Sequence, residues 1–196
     1  MQKWREQQLK RRISIVMRRK VALKRRLTRL PRKCRAPIRG VRPPMSFRYA
    51  FWSLVSAVAG ITAICQTTAI LGHPLLIGSF GASAVLLFGA TDSPLAQPRN
   101  LVGGHLLSAV VAVVVVALAG STPVTMAVAV GISIFVMNLT HTTHPPGGAT
   151  ALIGVQGAVG PGFVLLPVLA GALILLAVAC FTNNVVYHRS YPKHWL

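Results

Sequence analysis

Carboxylates are almost missing from this chain, which has 2 Asp plus Glu against 21 Lys plus Arg in 196 residues. Glu6 and Asp92 are the two, so no acid stands after residue 92. That scarcity removes whole classes of chemistry. A nucleophile with its base and orienting acid cannot be assembled in a membrane domain whose one carboxylate, Asp92, sits in a loop, so an enzyme is not expected. Cation carriers place Asp or Glu in the membrane to pair with the ion, and none is available here. A soluble domain needs a charged surface, and most of this chain has none. Cysteine is scarce as well. Cys34, Cys65 and Cys180 follow no metal or disulfide spacing, and two of them sit in apolar runs where cysteine behaves as a small hydrophobe.

What is present is segregated. Seventeen of the 21 basic residues lie with Glu6 in residues 1–44, a net charge of +16. Residues 45–196 carry only Arg48, Asp92, Arg99, Arg189 and Lys193, while 53% of the whole chain is hydrophobic. Five charges over such a length fall far below the roughly 25% charged residues of soluble domains. A bilayer is the solvent that suits this second piece.

In the first piece, basic clusters (Lys10 to Arg12, Arg18 to Lys20, Lys24 to Arg26) alternate with Ile13, Val16, Val21, Leu23, Leu27 and Leu30. The pattern suits an amphipathic helix that Pro31 closes. Such a tail would lie on anionic lipid head groups, each basic side chain near the surface contributing on the order of 1 kcal/mol. Nucleic acid is the rival partner, but a basic run without a reading module is only an electrostatic footprint. A transit peptide fits the shortage of acids and not the shortage of hydroxyls, Ser14 and Thr28 being the two present. A start at Met45 would remove the tail altogether. A secretory signal does not fit a basic region of this length.

Six apolar stretches follow, at 49–71, 74–90, 101–119, 123–139, 148–159 and 162–182. The first, third and last reach the length of about 20 residues that crosses a bilayer. The second and fourth are marginal, and the fifth is too short. Short apolar pieces beside Gly and Pro read as broken or re-entrant helices. The expected fold is all-α, a polytopic transmembrane helical bundle over 45–188, with 1–44 as a basic cytoplasmic tail and 189–196 as a short cytoplasmic C-terminal tail.

The chain also resembles itself. Gly81-Ala82-Ser83-Ala84-Val85-Leu86 matches Gly148-Ala149-Thr150-Ala151-Leu152-Ile153 at an offset of 67, and at that offset Pro94 falls on Pro161 and Gly104 on Gly171. Each unit then holds three apolar segments, and an odd number of crossings turns the second unit over, giving two inverted repeats. The tail with Arg48 holds one terminus inside, and Arg189 with Lys193 holds the other, which places both in the cytoplasm and the domain in the plasma membrane. An even number of crossings follows: six, or four with two re-entrant pieces. Arg99 in the loop Thr91 to Asn100 favours six.

The most polar part of the membrane domain is Asn138-Leu139-Thr140-His141-Thr142-Thr143-His144-Pro145-Pro146-Gly147-Gly148-Ala149-Thr150. His144-Pro145-Pro146 with the glycines after it resembles the signature of the HPP family of membrane proteins. His73-Pro74 with Ser79 to Ala84, and Ser93 to Asn100 leading into Gly103-Gly104-His105, fit the same family. The resemblance covers roughly 45–188. It implies a transporter with four transmembrane helices, plant chloroplast relatives being linked to nitrite transport.

The residues add their own argument about the solute. With no acid in the membrane, a small inorganic anion such as nitrite, or a neutral solute, is the natural cargo of a transporter or channel-like protein. A non-transporting membrane sensor or scaffold is the second class. Pro145 and Pro146 donate no backbone hydrogen bond, and Gly147 and Gly148 let N–H groups approach a ligand before a helix that starts at about Gly148. Such a helix start carries free donors and partial positive charge. Gly81 opens the matching segment, Ser83 and Thr150 add hydroxyls, and Ser79, His73, His105, Asn138 and His144 complete the candidate solute site. The competing reading is that the Gly-Ala-Ser-Ala and Gly-Ala-Thr-Ala runs are small faces for helix packing. Packing is the better reading for Gly104 with Ser108 and Ala129 with Ser133. His141 and His144 could share a metal with His105 or His73, but no Cys, Asp or Glu accompanies them. Histidine also suits a proton relay. His188 and His194 are assigned no special role. No cofactor is expected, and a homo-oligomer is left open.

Overall fold

A computed structural model describes residues 46–185 and 189–195, together with Ser14, Met17 and Arg18 of the tail, which are helical and exposed. The expectations for residues 1–44 (amphipathic helix, its end at Pro31, head-group binding, the start at Met45) and for His188 lie outside the described residues. The chain divides into two units, 1–45 and 46–196, and the second of them holds the helical bundle.

Caps and prolines set the helix boundaries. Helix α1 (Phe47–Leu71) begins where the Ser46 hydroxyl accepts from Tyr49 N–H at 3.3 Å, and stops at Gly72, whose φ of +67° suits glycine. Helix α2 (Gly78–Ala84) widens into a π turn over Val85–Gly89. Helices α3 (Pro98–Ala119), α4 (Pro123–Leu139) and α5 (Pro145–Gln156) each open on proline, where the missing N–H costs nothing and φ is already helical. Thr122 and Thr125 cap α4 reciprocally. Helix α6 (Ala170–Val185) follows a wide turn over Val164–Leu169 in which Leu166, just before Pro167, is extended.

The six expected apolar stretches thus form the six helices of residues 46–185. Among the described residues, three runs are long and apolar enough to cross a membrane: Phe47–Leu71, Pro98–Ala119 and Val164–Val185, the last kinked at Leu166. Gly78–Gly89, Pro123–Leu139 and Pro145–Gln156 are shorter. One local expectation is corrected. The fifth helix starts at Pro145 and not at about Gly148, because two prolines make a good first turn. The preceding helix ends at Leu139, five residues before His144, so residues 140–144 form an open link in which His141 has φ +54°.

Side-chain contacts fix the directions. Arg189 bonds the carbonyls of Tyr49 and Phe88 and the side chains of Ser53 and Asn183. Tyr191 donates to Ala96 O at 2.7 Å, Arg99 to Thr140 O at 2.9 Å and Asn100 to Thr143 O at 2.8 Å. The start of α1, the end of α2, the start of α3, the end of α4 and the end of α6 therefore share one end of the bundle, and successive helices alternate in direction. Every Lys, Arg, Asp and Glu among residues 46–195 belongs to that end. The opposite links, 72–77, 120–122 and 157–163, hold none.

The bundle is apolar outside and partly polar inside. Leu54, Val58, Val114, Leu118, Phe135 and Phe181 are exposed, whereas Ser79, Ser83, His105, Ser108, His144 and Thr150 are buried. That inversion belongs to a protein whose surroundings are hydrocarbon. Glycines permit the closest approaches. A methyl on Gly104 would stand 2.5 Å from His144 Cβ, one on Gly147 would stand 2.7 Å from Gly104 O, and one on Gly171 would enter the Phe80 ring. The packing role read for Gly104 and Ser108 agrees with this geometry, and Ala129 and Ser133 are likewise fully buried.

Candidate functional site

Two non-helical leads carry chain into the bundle, and the site forms where they end. Residues 140–144 bring His144 to the level of Gly104 and His105, which lie seven and eight residues into α3, about 10 Å from its start. Helix α5 continues away from the charged end. Helix α2 begins inside from the opposite side and runs toward the charged end, placing Ser79 and Ser83 against the same level.

A chain of hydrogen bonds results. His144 Nδ1 is 2.8 Å from the carbonyl of Leu95, and its Nε2 is 2.9 Å from Ser83 Oγ. Ser83 Oγ is 2.7 Å from His105 Nε2, and His105 Nδ1 is 2.7 Å from Thr150 Oγ1. Thr150 Oγ1 is 2.8 Å from Ser79 Oγ. The two imidazoles meet edge to face at 4.9 Å, and the Phe80 ring stands edge-on to His105 at 5.2 Å. All five polar side chains are shielded, none more than 1% exposed. Such a group is costly to bury unless each member is satisfied, and here each is.

Of the twelve candidates, the structure brings together Ser79, Ser83, His105, His144 and Thr150. Pro146 contributes its carbonyl, 3.3 Å from the Thr150 hydroxyl. Gly147 lies against Gly104, and Gly148 is buried with only Val130 near its missing methyl position, at 3.9 Å. Pro145, Gly81, His73 and Asn138 are exposed and do not join the chain. Asn138 instead accepts from Thr143 at 3.0 Å. His141 is also exposed and apart from His105 and His144. The expectation of free N–H donors at the start of α5 is corrected: Pro145 and Pro146 have none, and Gly147 N–H is bonded to His144 O at 2.8 Å. Donors at this site are hydroxyls and imidazoles.

Sequence reasoning missed the Leu95 carbonyl, which nothing local marks as a ligand. It also missed the cap on the charged end. Arg189 reaches four acceptors there and stacks on the Tyr49 ring at 3.8 Å. Burial lowers its pKa, opposed by Tyr49 and Asp92. Tyr191 is 1% exposed, and burial raises its phenol pKa. Lys193 N–H donates to Gln97 Oε1 at 2.8 Å, so residues 189–195 fold back against Ala96 and Gln97.

This bundle, with a His-Pro-Pro helix start feeding a buried polar chain, defines a polytopic α-helical membrane protein. The family model for the HPP transmembrane region matches residues 42–192, and the chain belongs to that family. Two transmembrane proteins of Dictyostelium discoideum are similar. One is 53% identical over 129 residues, 62% of this chain and 45% of its own length. The other is 44% identical over 156 residues, 74% of this chain and 50% of its own length. The chain thus spans about half the length of these relatives. No solved structure matches it.

Proposed function

We propose that this chain is a membrane transporter for a small solute, a nitrite-sized inorganic anion being the best fit. The observation that carries the reading is the buried chain of hydroxyls and imidazoles between two short helices, in a domain whose one carboxylate, Asp92, sits outside on the charged end pairing with Lys193 at 3.0 Å. Hydroxyl and imidazole N–H groups offer protons to an anion, and no fixed negative charge repels it. Buried ionisable residues in a membrane domain are expensive and are kept at solute or proton paths.

The inverted repeat belongs to the same reading, and contacts across the halves support it. Gly104 packs on Gly147, and Gly171 packs on Phe80. Adding 67 to 104 gives 171, and subtracting 67 from 147 gives 80, so the two contacts exchange under the offset. Ser83 and Thr150, equivalent at the same offset, bond the two nitrogens of one ring, His105. Two short helices entering from opposite ends around such an axis are how alternating-access carriers are built. The gathering of charge at one end supports a cytoplasmic position for that end and for both termini.

Purified protein in liposomes should take up nitrite or nitrate faster than empty vesicles. A panel of small anions and neutral solutes that all stay out would leave the sensor or scaffold class in its place.

A further inference from the structure

The short turn Pro94–Ala96 and the residue after it stand between the buried polar chain and the C-terminal segment. Their contacts divide between the two. The Leu95 carbonyl is 2.8 Å from His144 Nδ1, whereas the Ala96 carbonyl accepts from the Tyr191 hydroxyl at 2.7 Å and Gln97 Oε1 accepts from Lys193 N–H at 2.8 Å. A carbonyl can only accept, so His144 donates from Nδ1, and that bond sets how the ring presents Nε2 to Ser83.

The bonds within the turn give its shape and not its place. Leu95 N–H donates to Ser93 Oγ at 3.3 Å, Ala96 N–H to Ser93 O at 3.0 Å and Gln97 N–H to Pro94 O at 3.3 Å. The Gln97 amide donates to the carbonyls of Thr91 and Ser93. All of these partners are neighbours in sequence. Among the described residues, three hydrogen bonds tie residues 94–97 to distant parts of the chain: the one with His144 and the two from the C-terminal segment. The segment is anchored in its turn. Asn184, in the last turn of α6, bonds both the N–H and the carbonyl of Tyr191. Tyr191 is the one buried residue of 189–195, while Lys193, His194 and Trp195 are exposed.

We propose that Tyr191 is a positioning residue of the solute site, and that docking of residues 189–195 regulates that site. The proposal rests on the transport reading above and names a control built into it. With Tyr191 docked, the turn holds the Leu95 carbonyl on His144 Nδ1, and the ring keeps Nε2 at Ser83 beside His105. With the segment released, the turn loses two of its three distant bonds. The Leu95 carbonyl then draws away from Nδ1, and the ring is free to leave Ser83. Solute affinity thereby follows the state of a segment that lies at the charged end, outside the buried chain.

The test uses the full chain in nanodiscs with isotope-labelled histidine, the His144 ring signal being identified by its loss in His144→Gln. Tyr191→Phe keeps the ring in place and deletes the hydroxyl on Ala96 O. It should speed exchange of the His144 Nδ1 proton with water about tenfold or more, while the backbone amides of α5 stay within about twofold. A merely structural role would raise both in step. That result, or an unmoved His144 signal, would overturn the proposal. Should Tyr191→Phe fail to fold, Lys193→Pro at its exposed position deletes the N–H on Gln97 and should act in the same direction. Calorimetry with nitrite supplies the other arm, and affinity should fall about fivefold in either variant, the worth of one hydrogen bond. A wild type that binds neither nitrite nor nitrate, with a ring proton that responds as expected, would uphold the positioning role and sink the anion reading. Unchanged nitrite affinity beside a freed ring would overturn regulation of the site by the segment.

Discussion

The crossing of α3 with α5 and the crossing of α2 with α6 sit at positions related by the offset of 67, yet they are built from different materials. At the first, glycine meets glycine, and His105 and His144 lie beside the contact. At the second, Gly171 receives a whole Phe80 ring, and the residues at the offset from those histidines are Ala172 and Ile77. The spacing is shared and the chemistry is not. One crossing is apolar, packed with Leu87, Phe88 and Leu175 into the largest apolar cluster. The other uses its glycines to let a polar link reach the interior. A membrane bundle tolerates such a link only where protein buries it and satisfies its groups.

Four substitutions can break or sharpen this contrast. Gly104→Ala should have the largest effect, because the new methyl meets His144 Cβ at 2.5 Å and the Thr142 carbonyl at 2.9 Å, atoms that cannot swing aside. It should cost about 1–3 kcal/mol of stability and displace His144, so that nitrite affinity falls beyond what the thermal shift accounts for. Gly171→Ala should cost a similar 1–3 kcal/mol or so by pressing on the fully buried Phe80, and because that ring stands edge-on to His105 it should lower the affinity of the folded fraction, but much less than Gly104→Ala does. If affinity falls as far there, the two crossings are not separable. Gly148→Ala should be milder. Its methyl points toward Val130 with room to spare, so stability should hold or rise by up to about 1 kcal/mol and uptake should persist. Lys193→Ala removes an exposed pair with Asp92 and should shift stability by about 0.5 kcal/mol or less, read as a change in apparent Tm.

Much of the frame is legible in the sequence because its punctuation is. Pro98, Pro123 and Pro145 open helices, and Gly72 and Gly120 close them, so six apolar runs become six helices. Composition likewise marks the charged end. The polar segment at 138–150 and its partner at 79–84 are also visible, and they supply four of the five side chains in the buried chain. What stays hidden is rotational phase. Gly81 and Ser83 lie on different faces of one short helix, and nothing in so small a segment says which face turns inward. His73 and Asn138 sit beside motifs yet are exposed, His73 in the link after α1, which can turn either way, and Asn138 on the outer side of the last turn of α4. Leu95 and Arg189 act through contacts 49 and more than 100 residues away, which no local pattern encodes. The start of α5 is hard to read because two prolines look like an ending for α4, whereas α4 has stopped at Leu139 and the prolines begin the next helix.

In the proposed transporter the polar crossing handles the solute and the apolar crossing only holds the frame. Nitrite affinity of purified Ser83→Ala and Gly171→Ala, measured side by side by calorimetry with the wild type, tests that division most directly. Ser83→Ala removes the hydroxyl that the Nε2 atoms of His105 and His144 share and should weaken binding about tenfold or more, whereas Gly171→Ala, which reaches His105 only through the Phe80 ring, should weaken it much less. Equal losses in the two variants, or losses that simply follow their stabilities, would contradict it.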